Sequence, residues 1–231
     1  MPSQRKTTVT SLLVSGLLLW AAVAMAAPAA TVTHLSGPLV VRNAKGAVKA
    51  LSVGSKVEPG DTVETARRTY ARLKFTDGSE VTLKPNSHFK VEKYAYDQAR
   101  PKDDSGSFSL IRGGLRTITG QIGKRGNQDS YRMKTPTATI GIRGTIYDTH
   151  FCQDASCGAV KPGLYLAVAD GSVVITNDDG EKITLQVKAG QYVYVKDPFT
   201  APVVLPTKPD IPFEPPAELR SGWGKTNCQV R

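Results

Sequence analysis

The most reactive side chains in this sequence belong to three cysteines and three histidines. Cys152 and Cys157 bracket Gln153-Asp-Ala-Ser, and Cys228 lies almost at the C-terminus. In an oxidising compartment a Cys152–Cys157 disulfide across that loop is reasonable; pairing Cys228 with either one would pin the C-terminal segment to the domain. The odd count leaves one thiol over in any scheme. His150 and Cys152 fall at i, i+2 on one strand face, which raises a zinc site with Cys157 or Cys228. Their spacing matches no standard zinc pattern, and export favours a disulfide over thiolates. Neither a metal nor any other cofactor is expected.

Catalysis has little to work with. His34, His88 and His150 lie in separate segments, and no Gly-x-Ser-x-Gly, His-Glu-x-x-His or Gly-x-x-x-x-Gly-Lys-Ser/Thr pattern occurs. Asp61, Asp77, Asp170, Asp178 and Asp179 stand at turns, where bonding to the local backbone accounts for them. Two carboxylates facing each other across a sheet, as glycosidases require, is the one enzymatic arrangement left open. The chain reads as a non-enzyme.

Charge is more informative. Arg112, Arg116, Lys124, Arg125, Arg132 and Lys134 share the segment from Arg112 to Lys134 with a single acid, Asp129. Gly113, Gly114, Gly120, Gly123 and Gly126 read as flexibility, and Tyr131 is the segment's one aromatic ring. An anionic envelope polymer such as peptidoglycan or lipopolysaccharide would be held there by charge and released by salt. The competing role is a solvated hairpin whose Arg and Lys guard a sheet edge. Nucleic acid is not an expected partner, because single-strand binding uses interleaved rings.

These residues have to be positioned by strands. From Ala30 onward the chain alternates apolar and polar residues between turn signals, with no convincing helical period. Asp77-Gly78, between Tyr70–Thr76 and Ser79–Lys84, is the strongest short-range hairpin signal. Residues 97–106 are charged and aperiodic and read as an exposed, protease-sensitive loop. Asp170-Gly-Ser echoes Asp77-Gly-Ser, a hint of duplication. In Ala138-Thr-Ile-Gly-Ile-Arg143, Ala138, Ile140 and Ile142 alternate with Thr139, Gly141 and Arg143 after Pro136, a half-buried strand. Tyr147 and Thr149 then alternate with Asp148 and His150. The expectation is an all-β fold, many short antiparallel strands in a sandwich or β-roll. From Asp197 prolines crowd the chain, giving a tail over 197–231 that is a spacer, packs along its own domain or docks on a partner.

At the other end, Arg5 and Lys6 precede an apolar run from Leu12 to Val23, followed by Ala24-Met-Ala26 and Pro28. This is the pattern of a secretory signal helix over 1–26, with an uncleaved anchor as the alternative. Cleavage removes two cations and no acid, so the net charge falls from +10 to +8. What remains is a periplasmic or secreted protein, not embedded in the membrane, with its domain over 27–196.

Several segments also resemble one family. Thr135-Pro136-x-Ala138, an apolar run through Gly141, then Arg143-Gly144-Thr145 resembles the central signature of FecR-type domains. Around it, Val57–Thr65, Ala71–Leu83, Ser109–Arg116, Val168–Val174 and Ala189-Gly-Gln191 resemble other parts of that domain, in order, over roughly residues 30–196. The resemblance implies a periplasmic all-β module that takes part in signalling by binding an envelope protein. Family regulators also carry a cytoplasmic sigma-handling segment and a receptor-facing C-terminal part; here few residues precede the apolar run and a Pro-rich tail replaces the latter. Arg143 is the signature's side chain of interest, either paired with an acid of a neighbouring strand or aimed at a ligand.

Overall fold

The computed structural model describes residues 27–142, 144–153, 157–211 and Leu219. The segment read as a signal helix, Arg143, Cys228 and most of the tail beyond Ile211 lie outside those residues. Strands dominate. The first eight are β1 Ala30–Leu35, β2 Leu39–Arg42, β3 Val48–Leu51, β4 Lys56–Val57, β5 Thr62–Thr65, β6 Ala71–Phe75, β7 Glu80–Leu83 and β8 His88–Ala95. Then come β9 Ser105–Ile118, β10 Tyr131–Lys134, β11 Ala138–Ile142, β12 Ile146–Cys152 and β13 Gly163–Asp170. The last are β14 Ser172–Asn177, β15 Thr184–Lys188, β16 Tyr192–Val195 and β17 Val203–Leu205.

They pair into two sheets that share one strand. Sheet I runs β4-β1-β6-β7-β9-β12-β13-β16-β17. Sheet II runs β3-β2-β5-β8-β9-β10-β11-β14-β15. The N-terminal half of β9 belongs to sheet II and its C-terminal half to sheet I. The bend lies at Gly113-Gly114, where pairing passes from β8, ending at Arg112, to β7, starting at Leu115. Between the strands named, only β9 and β10 pair in parallel, and a parallel return needs a crossover of about a dozen residues. Residues 119–130 are that crossover, so of the basic segment Lys124 and Arg125 lie on the connection and the other four cations on the two strands it joins.

Alternation decides the core. Val32, Leu73, Leu83, Leu115, Tyr147, Leu166 and Val193 of sheet I face Val41, Val63, Phe89, Phe108, Met133, Ile140 and Ile175 of sheet II in one buried cluster. Phe75 meets Phe108 edge-on at 5.3 Å and Phe89 at 6.5 Å, which ties the sheets together. Each fully buried ring of this kind contributes on the order of 1.5–3 kcal/mol. The sandwich expected from the sequence is therefore present, although it is mixed in strand direction.

The segment with the signature is a corner. β11 lies in sheet II and β12 in sheet I, and the chain crosses between them at Gly144-Thr145. Gly144 has φ +73°, a conformation glycine adopts without a Cβ penalty. Thr145 is held at both ends, its N–H donating to Thr119 Oγ1 at 2.7 Å and its hydroxyl to the Ser172 carbonyl at 2.9 Å. Thr135 closes the preceding turn, its hydroxyl donating to the Ala138 carbonyl at 2.8 Å, while Pro136 is exposed at the entry to β11. The two Asp-Gly-Ser copies make different connections. Asp77-Gly78 closes a hairpin inside sheet I, whereas Asp170-Gly171 carries the chain from sheet I to sheet II.

Candidate functional site

The outer face of sheet I departs most from what a sandwich requires. Strand register sets Arg72, Thr82, Arg116, Asp148, Ala167 and Tyr192 in one row across six strands. Lys84, His150, Tyr165 and Tyr194 form the adjacent row, with Gly114 between the first two. All of them point away from the core, yet Lys84 is only 3% exposed and Asp148 2%. An outward face is dry only when something covers it.

The cover is the chain's own C-terminal segment. Ile211 is buried in a second apolar cluster with Cys152, Tyr165 and Ala167, flanked by Tyr192, Tyr194 and Leu205. Lys208 closes a cavity of about 100 Å³ whose other walls include Arg116, Asp148 and Tyr192. Leu219 is buried, and its backbone carbonyl accepts a hydrogen bond from the Arg72 guanidinium. The same segment also supplies β17, which extends sheet I beyond the boundary drawn at residue 196. Of the roles open to a Pro-rich tail, its described residues take one, packing along their own domain.

Beneath the cover is a buried charge cluster. Asp148 Oδ1 stands 3.6 Å from Lys84 Nζ, and Oδ2 accepts from the Arg116 guanidinium at 3.1 Å. Burial lowers the Lys84 amine to about 8, against the pull of Asp148, with Arg116 and Lys208 adding to the fall. The His150 imidazole lies over Gly114, where a Cβ would come within 2.9 Å of the ring. Burial first, and then the Lys84 charge, hold His150 at about 3. Among the described residues, Lys84 and Arg116 of the sheet and Lys208 of the covering segment thus gather around the Asp148 carboxylate and a neutral imidazole.

This sets a pH dependence. His150 is neutral in the folded protein and takes up a proton near pH 6.5 once unfolded, so its stabilising contribution is complete above that pH. It is lost as pH falls toward about 3, at up to about 1.4 kcal/mol per pH unit. Thermal denaturation between pH 7.5 and pH 4.5 should show a falling midpoint, and His150→Gln should flatten that slope. An equal slope in the variant would assign the acid sensitivity to other groups.

The basic segment is dispersed by the fold. Arg112, Lys124, Arg132 and Lys134 are exposed, but Arg116 belongs to the buried cluster. Arg125 is committed internally: Nε donates to Asp104 Oδ2 at 3.0 Å, its other nitrogens reach the Gln98 and Asp97 carbonyls at 2.9 Å, and it stacks on Tyr96 at 4.6 Å. It staples residues 97–106, which are thus not a free loop. Tyr131 corrects the sequence reading most sharply. It is 2% exposed, packed on Phe108 at 5.1 Å, with its hydroxyl 3.2 Å from that of Tyr147. The alternation Tyr131-Arg-Met133-Lys held the signal for this. Gly113, Gly114 and Gly120 are buried at close approaches and Gly123 is buried with φ +83°, so none of the four is placed for flexibility.

Cys152 and Cys157 form a disulfide with Cα atoms 5.5 Å apart, which removes the thiolates a zinc site with His150 would use. Among the described residues no group of three His, Cys, Asp or Glu is placed to hold a metal, and no helix is long and apolar enough to cross a membrane.

Residues 61–174 match the model of the FecR protein family. No curated protein matches the chain. A 1.65 Å crystal structure of a candidate anti-sigma factor from Parabacteroides distasonis is similar over 62% of this chain and 58% of its own, with 10% identity and a TM-score of 0.45. A 2.50 Å structure of the same description gives 11% identity and a TM-score of 0.45 over the same shares. A cell surface anchoring domain is 26% identical over 27% of this chain and 82% of its own, with a TM-score of 0.26. The chain spans less than two thirds of the anti-sigma factor structures it resembles.

Proposed function

We propose, from the premise that this chain carries a FecR domain over residues 61–174, that it is an exported, non-enzymatic sensing module of the cell envelope. It works by holding an extended polypeptide against the outer face of sheet I. One observation carries the reading: a face with a row of polar side chains and an aromatic end is buried under the chain's own Pro-rich segment. That segment carries Asp210, Glu214 and Glu218, acids of the kind that Arg72, Lys84 and Arg116 on the covered face can meet. A pre-extended segment loses little conformational entropy on docking, which suits recognition in a groove lined by Tyr165, Tyr192 and Tyr194. The tail is then a ligand in cis, and an envelope protein with a similar acid-bearing, Pro-containing stretch is the ligand in trans. Export follows from the apolar run before Ala24-Met-Ala26.

The test is site-specific cross-linking in cells from a photoreactive residue at position 167, in the full chain and in one lacking 207–231. The expected result is an adduct with one defined envelope protein that strengthens when the tail is removed and weakens in Arg72→Glu. Absence of a protein adduct from both chains overturns the reading.

A further inference from the structure

Sheet II presents the opposite case, an outer face that no described segment covers. Two rows cross it. Lys93, Ser107, Arg132, Gly141, Val174 and Gln186 are successive register partners, and so are Lys90, Ser109, Lys134, Thr139, Thr176 and Thr184. Six strands at about 4.8 Å spacing make a track of roughly 24 Å. Its chemistry is polar: hydroxyls in four of the six strands, cations on the other two toward one end, and few acids. Glu92 is occupied by Lys90 at 2.6 Å and by the Ser109 hydroxyl at 2.9 Å, and Asp178 accepts from Thr139 at 2.7 Å. No ion pair among the described residues reaches Lys93, Arg132 or Lys134.

In the middle of the track Gly141 opens a hollow of about 250 Å³, walled by Arg132, Thr139, Val174, Thr176 and Asp129. The fold does not require a glycine there. Gly141 is absent from the positive-φ residues, and a Cβ would meet only the Val174 carbonyl oxygen at an ordinary 3.9 Å. Glycine in a strand interior costs about 0.5–1 kcal/mol relative to alanine. A bare backbone in a strand without a register shift commonly marks close approach by something outside it.

We propose that this face binds a carboxylate-bearing glycan, with one sugar ring seated flat on Gly141. Arg132 takes the carboxylate through its planar fork, Asp129 and the threonine hydroxyls meet ring hydroxyls, and Lys134 and Lys93 follow the next charged sugars. A phosphate-bearing chain fits less well, because Asp129 stands in the wall and opposes a denser charge. This site lies on the sheet opposite the tail-covered groove and stands independently of the polypeptide-binding reading.

The experiment is calorimetric titration of the full chain at low salt with an oligogalacturonate, alongside a neutral malto-oligosaccharide and polyglutamate of similar length. Oligogalacturonate should bind at least tenfold more tightly than either control and weaken with salt. Gly141→Val should fold with an unchanged or higher melting temperature and lose at least tenfold in affinity. Should that variant not fold, Arg132→Ala, at an exposed side chain, should show the same loss. Polyglutamate binding as tightly as oligogalacturonate, no binding at low salt, or undiminished affinity in a folded Gly141→Val or in Arg132→Ala would overturn the proposal.

Discussion

Gly113→Ala should destabilise the fold by more than about 4 kcal/mol. Gly113 is the point where β9 leaves sheet II for sheet I, so its geometry sets how the two halves of the sandwich meet. Its φ is +80°, and a Cβ there would lie 2.5 Å from Ser87 Oγ, 2.6 Å from Ser87 Cα and 2.7 Å from the Asn86 carbonyl oxygen. Two of those three atoms are backbone and cannot swing aside. The Ser87 hydroxyl is also fixed, donating to the Gly114 carbonyl at 2.7 Å while accepting from the Gly114 N–H at 2.9 Å. Ser87 is tied in turn to Thr65, whose hydroxyl donates to the Lys84 carbonyl at 2.6 Å. A left-handed alanine costs about 1–2 kcal/mol, and overpacking a rigid site adds about 1–3 kcal/mol. With the Ser87 bonds also broken the total exceeds about 4 kcal/mol, a large share of the roughly 5–15 kcal/mol that holds a domain together. Urea denaturation of the purified variant reads this directly. Adding Ser87→Gly should recover little, because the backbone contacts remain. A loss below about 1 kcal/mol would mean that the corner yields and the shared strand is not rigid.

Much of this architecture was legible. Period-two alternation gave the strands, Asp77-Gly78 gave its hairpin, and Ala138–Ile142 showed which residues face inward. The signature read correctly as architecture, since Gly144 and Thr145 turn the chain from one sheet to the other. The pair Gly113-Gly114 was harder, because two adjacent glycines look like a break, whereas one continuous strand bends there and keeps its pairing on both sides. Burial of Tyr131 was written in its alternation with Arg132 and was overlooked in favour of the surrounding charge. The cluster of Lys84 and Asp148 could not be read at all. Each residue occupies an outward position, where alternation predicts solvent, and only a cover drawn from far along the chain reverses that. A Pro-rich composition states that a segment is extended without stating where it lies.

Asp148→Ala should be the most damaging substitution on the covered face and should also loosen the tail. Asp148 pairs with both Lys84 and Arg116, and Lys84 is 3% exposed. Removing one partner of a buried ion pair costs about 3–5 kcal/mol, mostly through the charge left behind in a dry site. The pH dependence separates this cause from lost packing. With Asp148 present the folded Lys84 amine is lowered to about 8; without it the amine falls further and is largely neutral at lower pH. A depressed lysine binds fewer protons folded than unfolded, so stability rises as pH climbs from the folded value toward the unfolded one near 10.4. In the variant that rise begins earlier. The gap between wild type and Asp148→Ala should therefore be widest below the variant's own lowered amine pKa, close as pH rises toward about 8 and stay small above it. Replacing all three charges by apolar residues (Lys84→Met, Arg116→Leu and Asp148→Leu together) should restore most of the stability, as apolar replacement of a buried charge cluster commonly does. Limited proteolysis gives the second readout, with cleavage within 207–231 at least tenfold faster in Asp148→Ala than in wild type at pH 7. A pH-independent gap would assign the loss to packing, and unchanged cleavage would separate the charge cluster from the segment that covers it.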